Sequence, residues 1–189
     1  MRKSIVRGLW CLLAVGLVLV VLGCIPRPLD DDALQVAVEK VILKCSGEPV
    51  VGRFKGWGPT TKAGLAVRRA AADLVYRFSE SPYPEWASGC GAELGFMREK
   101  QRIVVVVDRS VSVTPRLKRR RLELAVPPSP HRTDEETGVV SVDAIERKDG
   151  QTVIQAGYVF GDLGAQGVAF AVQRTWLGLS FTCRATWVS

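Results

Sequence analysis

Apolar residues recur at helical spacing just after residue 29. Three aspartates at 30–32 precede this segment, and acidic groups at a helix start meet unpaired backbone N–H groups and the helix dipole. The spacing predicts a helix that ends at Gly47 and Pro49. Its apolar face consists of Leu34, Ala37, Val38, Val41, Ile42 and Cys45.

A second helix is predicted after Pro59, where Thr60 or Thr61 can cap the first turn. Small residues dominate its apolar face, which indicates close packing on a flat partner such as a sheet. The face consists of Ala63, Ala66, Val67, Ala70, Leu74, Val75 and Phe78. Residues 79–95 are predicted to form an irregular loop.

The rest of the chain has the pattern of β-structure. Strands are predicted at 103–107, 122–126, 138–146, 151–160, 166–174 and 177–188. Asp149-Gly150 predicts a hairpin between two of them. Two helices followed by sequential strands predict an α+β domain, with both helices packed on one face of an antiparallel β-meander. This element order resembles cystatin-like and nuclear-transport-factor-like cones, although no motif is shared with them.

The first 24 residues have the pattern of an export signal. Three basic residues precede an uncharged and almost wholly apolar stretch at 8–25. Val21-Leu22-Gly23-Cys24 resembles the lipobox of bacterial lipoproteins, in which cleavage before the cysteine leaves that residue to carry the lipid. The resemblance implies a Cys24 modified by acyl chains such as palmitate. A tether at 25–29 and a single α+β domain at 30–189 would follow.

Two alternatives to the lipoprotein remain for this segment. The 18 residues at 8–25 reach the lower limit for a membrane-spanning helix, so an uncleaved anchor with its basic end in the cytoplasm is one of them. A freely secreted product is the other. All three predict a domain outside the cytoplasm, and for an anchored protein the choice between an inner and an outer membrane stays open. Residues 157–189 also look like the ending of many uncharacterised exported bacterial proteins, a resemblance that implies no activity.

Charge is concentrated in one run of the sequence. The 189 residues include 26 Lys and Arg against 19 Asp and Glu, and three of the basic residues belong to the predicted signal. Five basic residues in six then occur at Arg116, Lys118, Arg119, Arg120 and Arg121. Such a run predicts binding to an anionic partner, namely an envelope polymer, a lipid surface or a protein. The alternative is a solvated flank that keeps a strand edge soluble. The predicted compartment argues against nucleic acid.

We predict no catalytic, cofactor-binding or metal-binding residues. The single histidine, His131, lies in a Pro-rich polar segment, and the sequence has no Gly-x-Ser-x-Gly nucleophile elbow. Three cysteines of the domain, Cys45, Cys90 and Cys183, lack CxxC spacing. In an oxidising compartment they predict one disulfide and one spare thiol, with the pairing open. Packing of the first helix on the last strand would bring Cys45 and Cys183 together, and would leave Cys90 as the exposed thiol.

These observations favour a membrane-anchored lipoprotein that acts as a non-catalytic binding or accessory protein of the cell envelope, without a cofactor. One alternative is an envelope hydrolase whose site assembles from dispersed carboxylates with raised pKa values. The other is a single-pass membrane protein that docks on an anionic partner. Neither the partner nor the oligomeric state follows from the sequence.

Overall fold

Two helices and seven strands make up the part of the chain that the structure describes. The computed structural model describes residues 29–50, 74–80, 94–125, 136–148, 150–159, 164–175 and 178–188. The elements are α1 (Asp31–Cys45), β1 (Tyr76–Glu80), α2 (Leu94–Glu99), β2 (Arg102–Val107), β3 (Leu122–Ala125), β4 (Thr137–Lys148), β5 (Gln151–Val159), β6 (Ala165–Thr175) and β7 (Gly178–Val188). The predicted α+β class agrees with this composition.

The first predicted helix is confirmed. Asp30 is the N-cap of α1, and its Oδ1 accepts a hydrogen bond from the Ala33 N–H at 2.8 Å. Ser46 closes the other end by donating its backbone N–H to the Ile42 carbonyl at 2.9 Å. All six residues of the predicted apolar face are buried. The spacing therefore identified both the element and the side that it buries.

All seven strands belong to one mixed sheet in the order β1-β7-β6-β5-β4-β2-β3. β4, β5, β6 and β7 form the predicted antiparallel meander, and the pairing of Lys148 with Gln151 confirms the hairpin at Asp149-Gly150. The outer strands differ from the prediction: β2 pairs in parallel with both β3 and β4, and β1 pairs in parallel with β7. Parallel neighbours need long connections, which a pattern of short turns does not reveal.

The core lies between α1 and one face of the sheet. The backbone of α1 lies closest to β4 and β5. Alternate residues of the central strands face the helix and are buried: Val140, Val142, Ile154, Ala156, Tyr158, Val168, Phe170, Val172 and Phe181. The second helix, α2, places Met97 against Gly138 near the beginning of β4. A Cβ on Gly138 would lie 2.9 Å from the Met97 Cε, so a larger residue there would have to displace the flexible end of the Met97 side chain.

The end of the second predicted helix is wrong, because Tyr76–Glu80 forms strand β1. Phe78 stacks on Phe181 of β7 with ring centroids 4.4 Å apart, and the Lys40 Nζ of α1 lies 4.5 Å from the centroid of the Tyr76 ring. The stacking of Phe78 on Phe181 and the contact of Lys40 with the Tyr76 ring stabilise a strand here, in spite of the helical spacing upstream. The earlier part of that helix, residues 60–73, lies outside the described residues. The predicted loop at 79–95 is wrong at both ends, where two residues belong to β1 and two to α2, and the residues between them lie outside the described part of the chain.

Candidate functional site

The basic run lies in the connection that joins the parallel strands β2 and β3. We call residues 111–121 of this connection the strap. Its first seven residues alternate: Val111, Val113, Pro115 and Leu117 are buried or half-buried, whereas Ser112, Thr114 and Arg116 are exposed. Val111 belongs to the core cluster, and Val113 and Leu117 pack against it. The strap therefore has one apolar side against the domain and one polar side in solvent.

A tight turn begins the connection. The Asp108 carboxylate accepts a hydrogen bond from the Ser110 N–H at 2.8 Å, and the Val111 N–H donates to the Asp108 carbonyl at 3.0 Å. The hydrogen bond from the Ser110 backbone lowers the pKa of Asp108. The Asp108 N–H donates in turn to the Val142 carbonyl of β4 at 2.9 Å. The beginning of the strap is thus held to the sheet.

In its middle the strap is held to α1 by main chain. The Arg116 backbone N–H donates to the Glu39 Oε1 at 3.0 Å, and the same carboxylate oxygen accepts from the Gln35 Nε2 at 3.3 Å. This contact uses the backbone of Arg116, and the Arg116 side chain is exposed.

At its end the strap is held by the side chain of Arg121. The guanidinium pairs with the Glu48 carboxylate and donates to the Ser46 carbonyl at 2.8 Å, just past the end of α1. It also donates to the carbonyls of Met97, Arg98 and Lys100, at 3.2, 3.0 and 2.8 Å. Carbonyls at a helix C-terminus lack intrahelical partners and carry the negative end of the helix dipole. One arginine therefore stabilises the ends of both α1 and α2.

The four remaining basic residues of the run have different surroundings from Arg121. Arg116, Lys118, Arg119 and Arg120 are exposed, and within the described part of the chain no ion pair involves their side chains. Of the five basic residues predicted to form a patch, four therefore present free charge to solvent. The fifth is used inside the fold.

The cysteines have separate roles. Cys183 is buried and disulfide-bonded, whereas Cys45 is a buried free thiol whose pKa burial raises to about 12. A Cys45–Cys183 pair is therefore wrong, because α1 packs mainly on β4 and β5 rather than on β7. The partner of Cys183 lies outside the described residues, as does Cys90. The expectation of a disulfide together with a spare thiol agrees with these two states.

The face of the sheet opposite α1 carries a shallow depression of about 250 Å³. It is lined by Gln151, Val153, Ala169, Ala171, Thr182, Cys183 and Arg184. Arg184 is the only ionisable side chain in this lining, because the disulfide-bonded Cys183 does not titrate. Among the described residues, no group of three or more His, Cys, Asp or Glu side chains is placed to hold a metal ion.

Two described carboxyl groups, Asp30 and Asp108, have a clearly shifted pKa. A hydrogen bond from the Ala33 backbone N–H, assisted by Arg174, lowers the pKa of Asp30. The pKa of Asp108 is lowered in the same way by Ser110. A general acid for glycoside hydrolysis needs the opposite shift. These two groups therefore do not supply the raised pKa values that the hydrolase alternative requires.

Several predicted features lie outside the described residues, namely the signal at 1–24 with Cys24, the tether up to residue 28, and His131. Within the described residues, no helix has the length and apolar character needed to cross a membrane. No known protein family, curated protein or solved structure matches the chain.

Sequence reasoning missed the two glutamates that hold the strap. Glu39 and Glu48 lie about 70 or more residues from their partners, so no local pattern connects them. A signal for the strap itself was present, because residues 111–117 alternate apolar and polar with period two. Such alternation is typical of an extended segment with one buried side.

Proposed function

We propose that this protein is an exported, membrane-anchored protein of the cell envelope that binds an anionic partner through the exposed basic residues of the strap. The observation that carries the proposal is that the basic residues of this one run have different surroundings. Arg121 is bound inside the fold. The other four basic residues extend from a segment that is held by the Asp108 backbone, the Arg116 backbone and the Arg121 side chain. A held backbone lowers the entropic cost of presenting these charges together.

The disulfide of Cys183 supports the extracytoplasmic location. Disulfides persist in oxidising compartments and are rare in reducing ones. We infer that the partner is Cys90, because Cys11 and Cys24 belong to the predicted signal and Cys45 is free. The bond would then link β7 to the segment that precedes α2.

Anchoring is proposed to occur through a lipid on Cys24, with cleavage before this residue. The domain would span 30–189, and we propose that its second helix, predicted after Pro59, packs with α1 on one face of the sheet. The alternative of an uncleaved membrane-spanning anchor predicts the same location but a different covalent structure.

The intact mass of the membrane-extracted protein tests the anchor, with a Cys24→Ala variant as the control. We expect a mass that lacks residues 1–23 and includes added acyl chains, and we expect both features to be lost in the variant. An unprocessed and unmodified chain would instead assign 8–25 to a membrane-spanning anchor and would contradict the lipoprotein.

Replacement of the four exposed basic residues by Ser tests the binding role. We expect association with the envelope to lose its sensitivity to salt, because the attraction between exposed charges is screened at high ionic strength. Arg121 is left unchanged in this variant so that the fold is preserved. Association that keeps the same salt dependence after the change would contradict the role of the strap.

A further inference from the structure

We propose that the anionic partner of the strap is the phospholipid surface of the membrane that holds the anchor, so that the domain lies on this membrane along the flank of α1. The inference depends on the proposed function, and it identifies the partner. Lipid anchoring combined with a basic patch is a recognised route to stable membrane attachment. The four exposed basic residues of the strap can supply the basic patch.

The length of the tether supports this geometry. Leu29 is buried and Asp30 caps α1, so at most the residues between Cys24 and Leu29 separate the anchor from the folded domain. The five Cα–Cα steps from Cys24 to Leu29 span at most about 18 Å when fully extended. The domain is therefore held close to the headgroups, and it needs only to rotate for its charged side to reach them.

The distance along α1 from its N-cap to the strap is no longer than the extended tether. Glu39, which holds the Arg116 backbone, lies nine residues beyond the N-cap Asp30. At a rise of 1.5 Å per residue this is about 14 Å along the helix. The strap is thus roughly one tether length from the point where the domain meets its anchor.

Charge is separated along this flank. The acidic residues at 30–32 lie at the start of α1, and the exposed basic residues of the strap lie beside its second half. The Debye length at physiological salt is about 8 Å, which is shorter than this separation. The aspartates therefore do not cancel the attraction of the strap for an anionic surface. Glu39 is closer, and its single negative charge offsets one of the four exposed positive charges of the strap.

The free state of the four basic side chains favours lipid over a protein. A protein partner of defined shape is usually met by charged groups that neighbouring residues position. Here the side chains of Arg116, Lys118, Arg119 and Arg120 make no ion pair in the described part of the chain, although their backbone is held. Long, exposed cations without ion-pair partners suit a fluid array of headgroups, and each such basic residue contributes roughly fivefold in affinity.

Hydrogen exchange of the full-length protein in vesicles tests the inference. The protein is placed in vesicles of phosphatidylcholine alone or of phosphatidylcholine with phosphatidylglycerol, and the exchange of strap amides is followed. We expect strap exchange to be at least about tenfold slower in the phosphatidylglycerol vesicles. The difference should disappear in about 0.5 M salt, where the Debye length falls below about 5 Å.

A pair of charge-matched variants controls for net charge. Arg119→Ser with Arg120→Ser removes two charges from the strap, and Arg77→Ser with Arg184→Ser removes two exposed charges from β1 and β7 on the opposite face of the sheet. We expect the first variant to lose most of the slowing and the second to keep it. Equal loss in both would overturn the inference, since it would reflect net charge rather than the strap.

The outcomes separate this inference from the proposed anchor. A lipidated Cys24 with strap exchange that ignores phosphatidylglycerol would preserve the anchor and overturn the inference. An unmodified chain with a strap that is still slowed would support the inference and contradict the lipoprotein. Slowing that requires added envelope proteins, and does not occur with phosphatidylglycerol, would assign the strap to a protein partner and overturn the inference.

Discussion

Both ends of α1 carry an arginine–carboxylate pair, but the two pairs have different surroundings. At the start, Arg174 pairs with the N-cap Asp30 at 2.6 Å, and about half of each side chain is exposed. At the end, the pair of Arg121 with Glu48 has side chains only 21% and 15% exposed. Exposed pairs are screened by water and contribute little, whereas a shielded charge needs its partners.

The second difference lies in what each arginine connects. Arg174 contacts one carboxylate beside a local cap. Arg121 contacts a carboxylate and four backbone carbonyls, which belong to the ends of α1 and α2. The two arginine–carboxylate pairs thus differ in their contribution to stability, because they differ in burial and in the number of acceptors. The start of α1 is a local structure, and its end joins three distant parts of the chain.

Of the substitutions at the two ends of α1, replacement of Arg121 should lower the free energy of unfolding the most. Arg121→Met would leave the Glu48 carboxylate and four carbonyls without this donor, and we expect a loss of about 3 kcal/mol in the free energy of unfolding. Denaturant titration measures the change. Arg120→Met is the matched control, since an exposed site should change the same quantity by less than about 0.5 kcal/mol. Equal losses in the two variants would remove the distinction drawn between these neighbours.

The buried thiol at the end of α1 should make stability depend on alkaline pH. Burial raises the pKa of Cys45 to about 12, whereas the unfolded chain releases this proton near pH 9. The unfolded state therefore holds fewer protons above pH 9, and stability falls as the pH rises from about 9 to 12. The slope from this group is about 1.4 kcal/mol per pH unit.

Denaturation curves of the native protein and of Cys45→Ala across this pH range measure the effect. The variant should show a shallower decline, although its stability at neutral pH is lower because of the missing sulfur. Parallel declines would mean that Cys45 ionises as readily in the folded protein as in the unfolded chain.

Substitution of Asp30 should have a smaller effect and should separate its two roles. Asp30→Ala removes the acceptor for the Ala33 N–H, and we expect a clear loss of stability that is smaller than that of Arg121→Met. Asp30→Asn keeps an N-cap acceptor and should retain most of the stability at neutral pH.

Acid titration separates the charge of Asp30 from its cap. The pKa of Asp30 is lowered in the folded protein, so its contribution is present above the ordinary carboxyl pKa and is lost as the pH falls through the lowered value. Thermal unfolding between neutral and acid pH should therefore show a weaker acid dependence for Asp30→Asn than for the native chain. An unchanged acid dependence would show that Asp30 titrates alike in both states.

Arg174→Ser should have the smallest effect. Its partner is exposed and keeps the Ala33 hydrogen bond, so we expect no measurable shift in the denaturant midpoint at physiological salt. A loss as large as that of Arg121→Met would contradict the comparison of the two ends.

The strands show where local patterns were sufficient and where they were not. The meander from β4 to β7 was predicted because short turns connect neighbours that alternate with period two. Strands β2 and β3 were predicted, but their parallel pairing and the strand β1 were not. The partner of β1 comes from far along the chain: Phe78 meets Phe181 only when β1 and β7 lie side by side. The α2 helix has six residues, too few for a helical period to emerge.

The six residues of the basic run likewise include one feature that the sequence predicts and one that it does not. Composition alone identified Arg116, Lys118, Arg119, Arg120 and Arg121 as candidates for an anionic partner. Nothing in the sequence distinguished Arg121 from Arg120, because the acceptors of Arg121 come from residues 46–48 and 97–100. The fold assigned one arginine to the interior and left the others in solvent.

By itself the sequence determined the features that depend on neighbouring residues: the cap and buried face of α1, the alternation of the meander strands, the Asp149-Gly150 turn and the dense basic run. Each of these follows from interactions within a few positions of the chain, where periodicity and turn chemistry act. Only the tertiary structure decided the parallel pairing of the outer strands, the disulfide state of Cys183 and the role of Arg121. These depend on segments far apart in sequence, whose contacts form when burial of the common core brings them together.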